Sequence, residues 1–402
     1  MEHDIPKLLR DAENRKIDRR RLLQGLGITA TAAFVATTVP KAAAAFAASA
    51  AQTSAAPPQR TRRYIKPVID AHAHYYSPQF VDLIVKEGAA NGARISGPNE
   101  KGEYTAKAPD QTCYSPNGST FTRAMTDFDL IFKGMDDREI DMYALEMTHP
   151  KVYWAPPEFG LRLSAAQNDG VSAAHVKYPK RFVGTIMLPL QDVKLALQEL
   201  ERAAKLPGMR AINVGEHIEG TNLSDKSFWP VWERCEALGL PLILHNLNPF
   251  GCDRLNQGGV NMINVLGNPF EATVASLSFI LSGALDEFPK LDIYLPHAGG
   301  ALPWLVWRTD HSLAGINSQV KLKQPRASDY LRRFHYDLIL HSPKMMRVLI
   351  DTVGVDRVVS GTDFPQGMAI ARPVEYVESI PGITRRECEM ILCENPARLL
   401  KI

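Results

Sequence analysis

The sequence predicts an α/β chain folded as a distorted (β/α)8 barrel with an insertion after its first strand. From Tyr64 onward, eight short apolar runs alternate with longer amphipathic patterns, the alternation that gives a parallel sheet wrapped by helices. About 340 residues carry this pattern, a span that suits one barrel with insertions. The third observation is chemical: His and Asp residues fall at or just beyond the ends of four of the runs. A doubly wound sheet is the competing α/β layout, which periodicity alone does not exclude.

Taken in order, the predicted strands are Val68–Ala73, Tyr143–Thr148, Phe182–Leu188, Ala211–Val214, Leu240–Leu244, Leu291–Leu295, Phe334–Asp337 and Arg357–Ser360. Helical patterns between them include Val193–Ala204, Phe228–Leu238, Ala272–Glu287, Pro343–Thr352 and Arg385–Leu392. The stretch at about residues 88–120 is rich in Gly, Pro, Asn and Ser. It is too long for an ordinary connection and reads as a lid or capping insertion. No internal repeat is present. With 402 residues, 45% hydrophobic and 22% charged, the chain can bury a large core and is neither disordered nor collagen-like. Its five cysteines, Cys113, Cys235, Cys252, Cys388 and Cys393, are too few for a disulfide scaffold and lack C-x-x-C spacing. Being odd in number, they leave at least one thiol unpaired within the chain.

Residues 1–51 read as an export signal. Asp18-Arg19-Arg20-Arg21-Leu22-Leu23-Gln24 precedes a mildly apolar stretch, Gly25 to Val39, and an alanine-rich run, Ala42 to Ala51. This order of basic, apolar and small residues marks a secretory segment, and Arg-Arg-x-Leu-Leu resembles the twin-arginine signal, a receptor-read address. The apolar stretch falls short of the ~20 residues of a spanning helix, so no stable membrane anchor is expected. Cleavage between Ala45 and Ala51, the twin-arginine export machinery as a partner and a periplasmic or exported location follow as expectations. Twin-arginine export carries proteins already folded. Residues 52–63, with Pro57-Pro58, read as a linker and residues 64–402 as the barrel domain. The signal carries eight Lys/Arg against five Asp/Glu, more than the chain's whole formal charge of +2. The remainder is near neutral and offers nucleic acid no electrostatic footprint.

The strongest chemical signal is Val68-Ile69-Asp70-Ala71-His72-Ala73-His74. Residues two apart in a strand point to one side, so His72 and His74 can share a metal ion. His245 follows Pro241-Leu242-Ile243-Leu244, His297 follows Asp292-Ile293-Tyr294-Leu295-Pro296, and Asp363 follows Val358-Val359-Ser360-Gly361-Thr362. Each sits at the C-terminal end of a predicted strand, the face on which barrel active sites are built. Imidazoles with one carboxylate suit Zn2+ or another borderline divalent ion with one position open. Four protein ligands would leave His297 or Asp363 for proton transfer, and the pattern does not choose between them.

His-x-His after the first strand, His after the fifth and sixth, and Asp after the eighth resemble the pattern of the amidohydrolase superfamily, whose fold is a TIM barrel. Tyr178-Pro179-Lys180-Arg181-Phe182-Val183-Gly184, Phe288-Pro289-Lys290-Leu291, His297-Ala298-Gly299-Gly300-Ala301-Leu302-Pro303 and Gly361-Thr362-Asp363-Phe364-Pro365 are similar to the branch containing α-amino-β-carboxymuconate-ε-semialdehyde decarboxylase and aromatic-acid decarboxylases. The similarity runs from about Val68 to Leu399. It implies His72, His74, His245 and Asp363 as ligands of one Zn2+ ion, with Mn2+ the alternative, and His297 as acid/base. It also implies a homodimer in which Arg308 reaches the neighbouring subunit's site to hold a substrate carboxylate, a task that suits a guanidinium fork; the plain alternative is a surface arginine. Binuclear relatives carry a bridging lysine after the fourth strand. Here Arg210-Ala211-Ile212-Asn213-Val214-Gly215-Glu216-His217 has none at that end, so one metal is expected.

Two departures concern the substrate. Arg123 stands one position from the branch's substrate-binding arginine, and Asn246-Leu247-Asn248-Pro249 replaces Pro-Trp after His245. The expected activity is a metal-dependent decarboxylase acting on a small unsaturated or aromatic carboxylic acid. The alternative on the same residues is a hydrolase of a lactone or amide, and a third reading is a non-catalytic exported binding protein. His149 and His217, after the second and fourth strands, are read as second-tier or loop histidines.

Overall fold

The computed structural model describes residues 63–402 apart from 113, 114, 116, 250, 253, 256–260 and 316–318. The export signal and nearly all of the linker lie outside the described residues. Seven parallel strands form one sheet: β1 (Ile69–His74), β2 (Met142–Glu146), β3 (Phe182–Met187), β4 (Met209–Gly215), β5 (Leu242–His245), β6 (Ile293–Leu295) and β7 (Phe334–Tyr336), hydrogen-bonded in that order. Strands that neighbour one another in both sequence and space, all parallel, require a crossover helix at each step. These include α3 (Pro157–Lys177), α4 (Val193–Ala203), α5 (Trp229–Leu238), α6 (Asn268–Leu281) and α7 (Leu302–Gly315).

The predicted eighth strand, Arg357–Ser360, is not a strand. Val355–Arg357 forms a 3-10 turn, and the segment after it pairs with its neighbours through isolated parallel bridges, Tyr336↔Val358 and Ala73↔Phe364, and not through a ladder. It nevertheless closes the barrel: Val359 N donates to Tyr336 O at 2.8 Å, Ala71 N to Ser360 O at 2.8 Å and His74 N to Phe364 O at 2.8 Å. A continuous ladder fails for two reasons. At Gly361 a Cβ would stand 2.3 Å from the Tyr294 hydroxyl and 3.0 Å from His72 Cβ, so only glycine allows the approach. Two residues on, Asp363 adopts φ 67° and turns the chain out of the extended conformation.

Alternate residues of the strands divide the core. Ile69, Ala71, Ala144, Val183, Ala211, Ile243, Tyr294 and Val359 pack together with Leu399 and Leu400 of the C-terminal helix Asn395–Leu400. Leu145, Ile186, Ile212, Val214, Leu244 and Leu295 join the larger cluster shared with the helices. This separation is the period-2 signature of a filled barrel. Glu146, Asn213 and His245 each lie two residues beyond an inner apolar residue of the same strand, so the barrel interior turns polar at its C-terminal end.

Helix α1 (Pro78–Glu87) starts where Ser77 accepts a bond from Phe80 N and Pro78 occupies the first turn, a well-formed start signal. The insertion follows it as a small antiparallel sheet of Arg94–Ser96, Thr105–Lys107 and Ser119–Thr120. The Asn248 amide donates to the Asp110 carbonyl, tying the insertion to the loop that follows β5. The predicted helix Ala272–Glu287 is two helices, because Gly283 breaks it at φ 79°. Arg385–Leu392 is likewise a short helix, Arg385–Glu389, running into the π-turn Met390–Glu394. Cys235, Cys388 and Cys393 are free and buried, whereas Cys252 is disulfide-bonded. Among the described residues no helix is long and apolar enough to cross a membrane.

Candidate active site

Side chains from the ends of β1, β2, β5 and the eighth segment converge inside the barrel mouth. One donor atom from each of His72, His74, Glu146 and His245 lies within 4.8 Å of the others, all four residues being buried. His245 Nε2 stands 3.3 Å from His74 Nε2, His74 Nε2 2.8 Å from Asp363 Oδ1, and His72 Nε2 3.3 Å from Glu146 Oε1 and 3.5 Å from Asp363 Oδ1. Donor atoms about 3.3 Å apart are what metal bonds of about 2.0 Å at tetrahedral angles produce. His72 Nε2 and Glu146 Oε1 have no hydrogen-bond partner among the described residues. Buried polar atoms left in that state call for a ligand. The donor set therefore fits a divalent cation.

The register of β1 brings both histidines inward. Ile69 and Ala71 already face the interior, and strict alternation would send His72 and His74 out. The pairing with β2 shifts between Asp70 and Ala73, an irregularity of the kind that re-aims side chains beside active sites. Asp70 fixes the shift: its Oδ1 accepts from His72 N and Thr362 N, each at 3.0 Å, and its Oδ2 from the Thr362 hydroxyl at 2.5 Å.

Asp337, just after β7 and fully buried, organises the opposite wall. It lies 3.2 Å from His72 Nδ1 and accepts from Tyr294 Oη at 3.2 Å, His297 N at 3.0 Å, Ala298 N at 2.7 Å and Ile339 N at 3.0 Å. The contact to Nδ1 favours the proton on that nitrogen and leaves Nε2 as the ligand atom. The two backbone bonds hold His297 and Ala298 at φ 55° and 53°, a conformation rare outside glycine. His297 is thereby set with its ring centroid 6.3 Å from that of His72, buried, with Nδ1 unpartnered among the described residues.

A third group lies behind Glu146. Its Oε2 accepts from Asn213 Nδ2 at 2.9 Å, and Asn213 Oδ1 accepts from Lys151 Nζ at 2.7 Å. Lys151 also donates to Met147 O at 2.8 Å. Burial pushes Lys151 down to about 7, with Glu146 and Glu216 opposing, and pushes Glu146 up to about 7. Burial would depress His72, but Glu146, Asp337 and Asp363 outweigh it and raise the ring to about 10. The surrounding carboxylates thus attract a positive charge. Burial lowers His74 to about 4 and His245 well below its ordinary value, which suits neutral donors. Burial also lowers His297.

Of the residues singled out from sequence, His72, His74, His245, Asp363 and His297 come together. The two arginines do not join them. Arg123 lies in the turn Arg123–Met125, largely exposed and paired with Asp127, and Arg308 is exposed on α7. His149 is buried and His217 Nε2 lies 2.9 Å from the Asn248 carbonyl. Sequence reasoning missed Glu146, Asp337, Asn213 and Lys151. Asp337 closed a predicted strand and carried a usable signal. Glu146 lay inside the predicted Tyr143–Thr148 and did not, because β2 stops two residues early. The fourth strand carries no lysine at its end, and Lys151, from the loop after β2, meets Asn213 of β4.

Comparison with known proteins agrees with this geometry. The chain is 30% identical over 249 residues to 2-amino-3-carboxymuconate-6-semialdehyde decarboxylase of Dictyostelium discoideum, covering 62% of this chain and 69% of that one. It is 32% identical over 250 residues to gamma-resorcylate decarboxylase of Polaromonas sp., covering 58% and 74%. Among solved structures it matches 5-carboxyvanillate decarboxylase from Sphingomonas paucimobilis with a TM-score of 0.70 and 26% identity, over 84% of this chain and 99% of that one. The amidohydrolase family model matches residues 69–402, and the chain belongs to that family.

Proposed function

We propose that this protein is a metal-dependent decarboxylase of a small aromatic or unsaturated carboxylic acid. The carrying observation is the buried cage of three imidazoles and Asp363 with His297 beside it, its Nδ1 without a partner among the described residues, in a chain whose relatives are decarboxylases. His72, His74, His245 and Asp363 hold one divalent ion, Zn2+ or alternatively Mn2+. When bound, that ion supplies Lewis acidity toward substrate oxygens. As the bond between carbon and carboxylate breaks and CO2 leaves, its electron pair stays on the carbon, which receives one proton from His297; the ring takes that proton up from solvent and is neutral again afterwards. Burial lowers the His297 pKa, so the protonated ring gives its proton up readily. Asp337 fixes the backbone that carries it.

Arg308 grips the substrate carboxylate from a second subunit in this reading, and Arg123 is the second candidate anion contact. Leu305 and Trp307 are exposed beside Arg308 on α7, as are Phe270 and Val274 on α6, and the two helices pack against each other. An exposed apolar strip of that kind supports a homodimer. Export through the twin-arginine machinery and a periplasmic location complete the proposal, resting on residues 1–51. Metal-loaded protein is expected to release CO2 from at least one member of a panel of hydroxybenzoates and unsaturated acids. Opening of lactones with no CO2 from any acid contradicts the proposal and favours the hydrolase reading.

A further inference from the structure

We propose that Glu146 is a fifth protein donor to the metal centre, that Asn213 and Lys151 are its positioning residues, and that this second carboxylate biases the centre toward Mn2+ over Zn2+. The proposal rests on the metal centre of the preceding reading and not on the reaction. Glu146 Oε2 is engaged by Asn213 Nδ2 at 2.9 Å, while Oε1 has no hydrogen-bond partner among the described residues. That free oxygen stands 3.3 Å from His72 Nε2 and 3.9 Å from His74 Nδ1. Orienting the His72 ring is not its task, since Asp337 already meets Nδ1 at 3.2 Å. The free oxygen faces the nitrogen left for metal.

The amide of Asn213 is fixed in one sense. Lys151 Nζ donates to the amide oxygen at 2.7 Å, and the NH2 group is turned toward Glu146 Oε2, to which it donates at 2.9 Å. Lys151 is in turn anchored on Met147 O at 2.8 Å, within the loop that leaves β2. Three buried residues from two strands and a loop thus aim one carboxylate oxygen at the histidine cage. A lysine buried here also balances the extra negative charge, as buried carboxylates require. With Asp363, the set becomes three imidazoles and two carboxylates. Four-coordinate Zn2+ is filled by fewer donors, whereas carboxylate-rich, six-coordinate sites suit Mn2+.

The test uses the full chain, stripped with a chelator and retitrated. Mn2+ affinity is read from the electron paramagnetic resonance signal of free Mn2+, and Zn2+ affinity by competition with a chromogenic chelator. Glu146→Gln is expected to weaken Mn2+ binding ~10–100-fold, the scale seen when metal-site supports are removed, and Zn2+ binding by less than about 3-fold. Asn213→Ala, which leaves both charges in place, is expected to shift the Mn2+/Zn2+ ratio in the same direction. It gives an independent reading should Glu146→Gln fail to fold. Lys151→Met is expected to do likewise, and Lys151→Arg to recover part of the loss. Equal weakening of both metals, or no change in either, overturns the proposal whether or not the protein releases CO2.

Discussion

His72 shows how a single residue acquires a role from both of its ring nitrogens. Nδ1 meets Asp337 at 3.2 Å and Nε2 faces the cage. Asp337→Asn is expected to lower metal affinity ~10–100-fold with little loss of fold, measured by chelator competition; unchanged affinity would mean that the carboxylate only shapes the His297 turn. His72→Ala is expected to lose the metal, whereas His297→Ala keeps it and loses turnover by ~10²–10⁴-fold, checked by elemental analysis beside rate measurement. Equal metal loss in both would mean that His297 is misassigned. Burial lowers the His297 pKa, and the ring must carry a proton in order to deliver one, so the competent form is lost as pH rises through that value. At constant metal content kcat/KM is therefore expected to fall with rising pH, with its midpoint below the ordinary histidine range. The spacing of His72 and His74 was legible because period 2 is a property of any strand. That they face inward was not, since the register shift at Asp70–Ala73 that aims them depends on Thr362, 292 residues away from Asp70.

At the scale of elements, the eighth segment closes the barrel through side-chain bonds as much as through a ladder. Thr362 gives both its N–H and its hydroxyl to buried Asp70. Thr362→Val keeps the shape and deletes the hydroxyl, leaving one oxygen of a buried carboxylate short of a donor. A loss of about 1–3 kcal/mol is expected, read as a lower urea midpoint with unchanged m-value; an unchanged midpoint would mean that water replaces the hydroxyl without cost. The sequence showed a short apolar run here and could not show that Gly361 and the left-handed Asp363 break it. Helix α3 was missed for a related reason. Its buried face includes Ser164, Gln167 and Asn168, which blunt the apolar stripe that period 3.6 detects. Those polar residues serve neighbouring strand ends: Gln167 bonds Ser77 N and Tyr75 O, and Asn168 bonds Met187 N and O.

Across the whole molecule, the barrel could be read from the alternation of runs, while the mouth could not, because it is assembled from strand ends that only the closed sheet brings together. His245 and Asp363 were found because His and Asp at strand ends stand out chemically. Asn213 and Lys151 were not, because each is unremarked until the other is in place. The odd cysteine count now takes a definite form. With Cys235, Cys388 and Cys393 free and Cys252 disulfide-bonded, unreduced, denatured protein is expected to titrate three thiols, and reduced protein all five; five before reduction would contradict the disulfide. The central claim, that this barrel breaks a carbon–carboxylate bond with proton delivery by His297, is tested most directly by running the metal-loaded protein with an accepted aromatic acid in D2O. The account predicts one CO2 and one product carrying a single deuterium at the carbon that held the carboxylate, both suppressed in His297→Ala at full metal content. Deuterated product formed at the wild-type rate by His297→Ala, or substrate consumed without CO2, would contradict it.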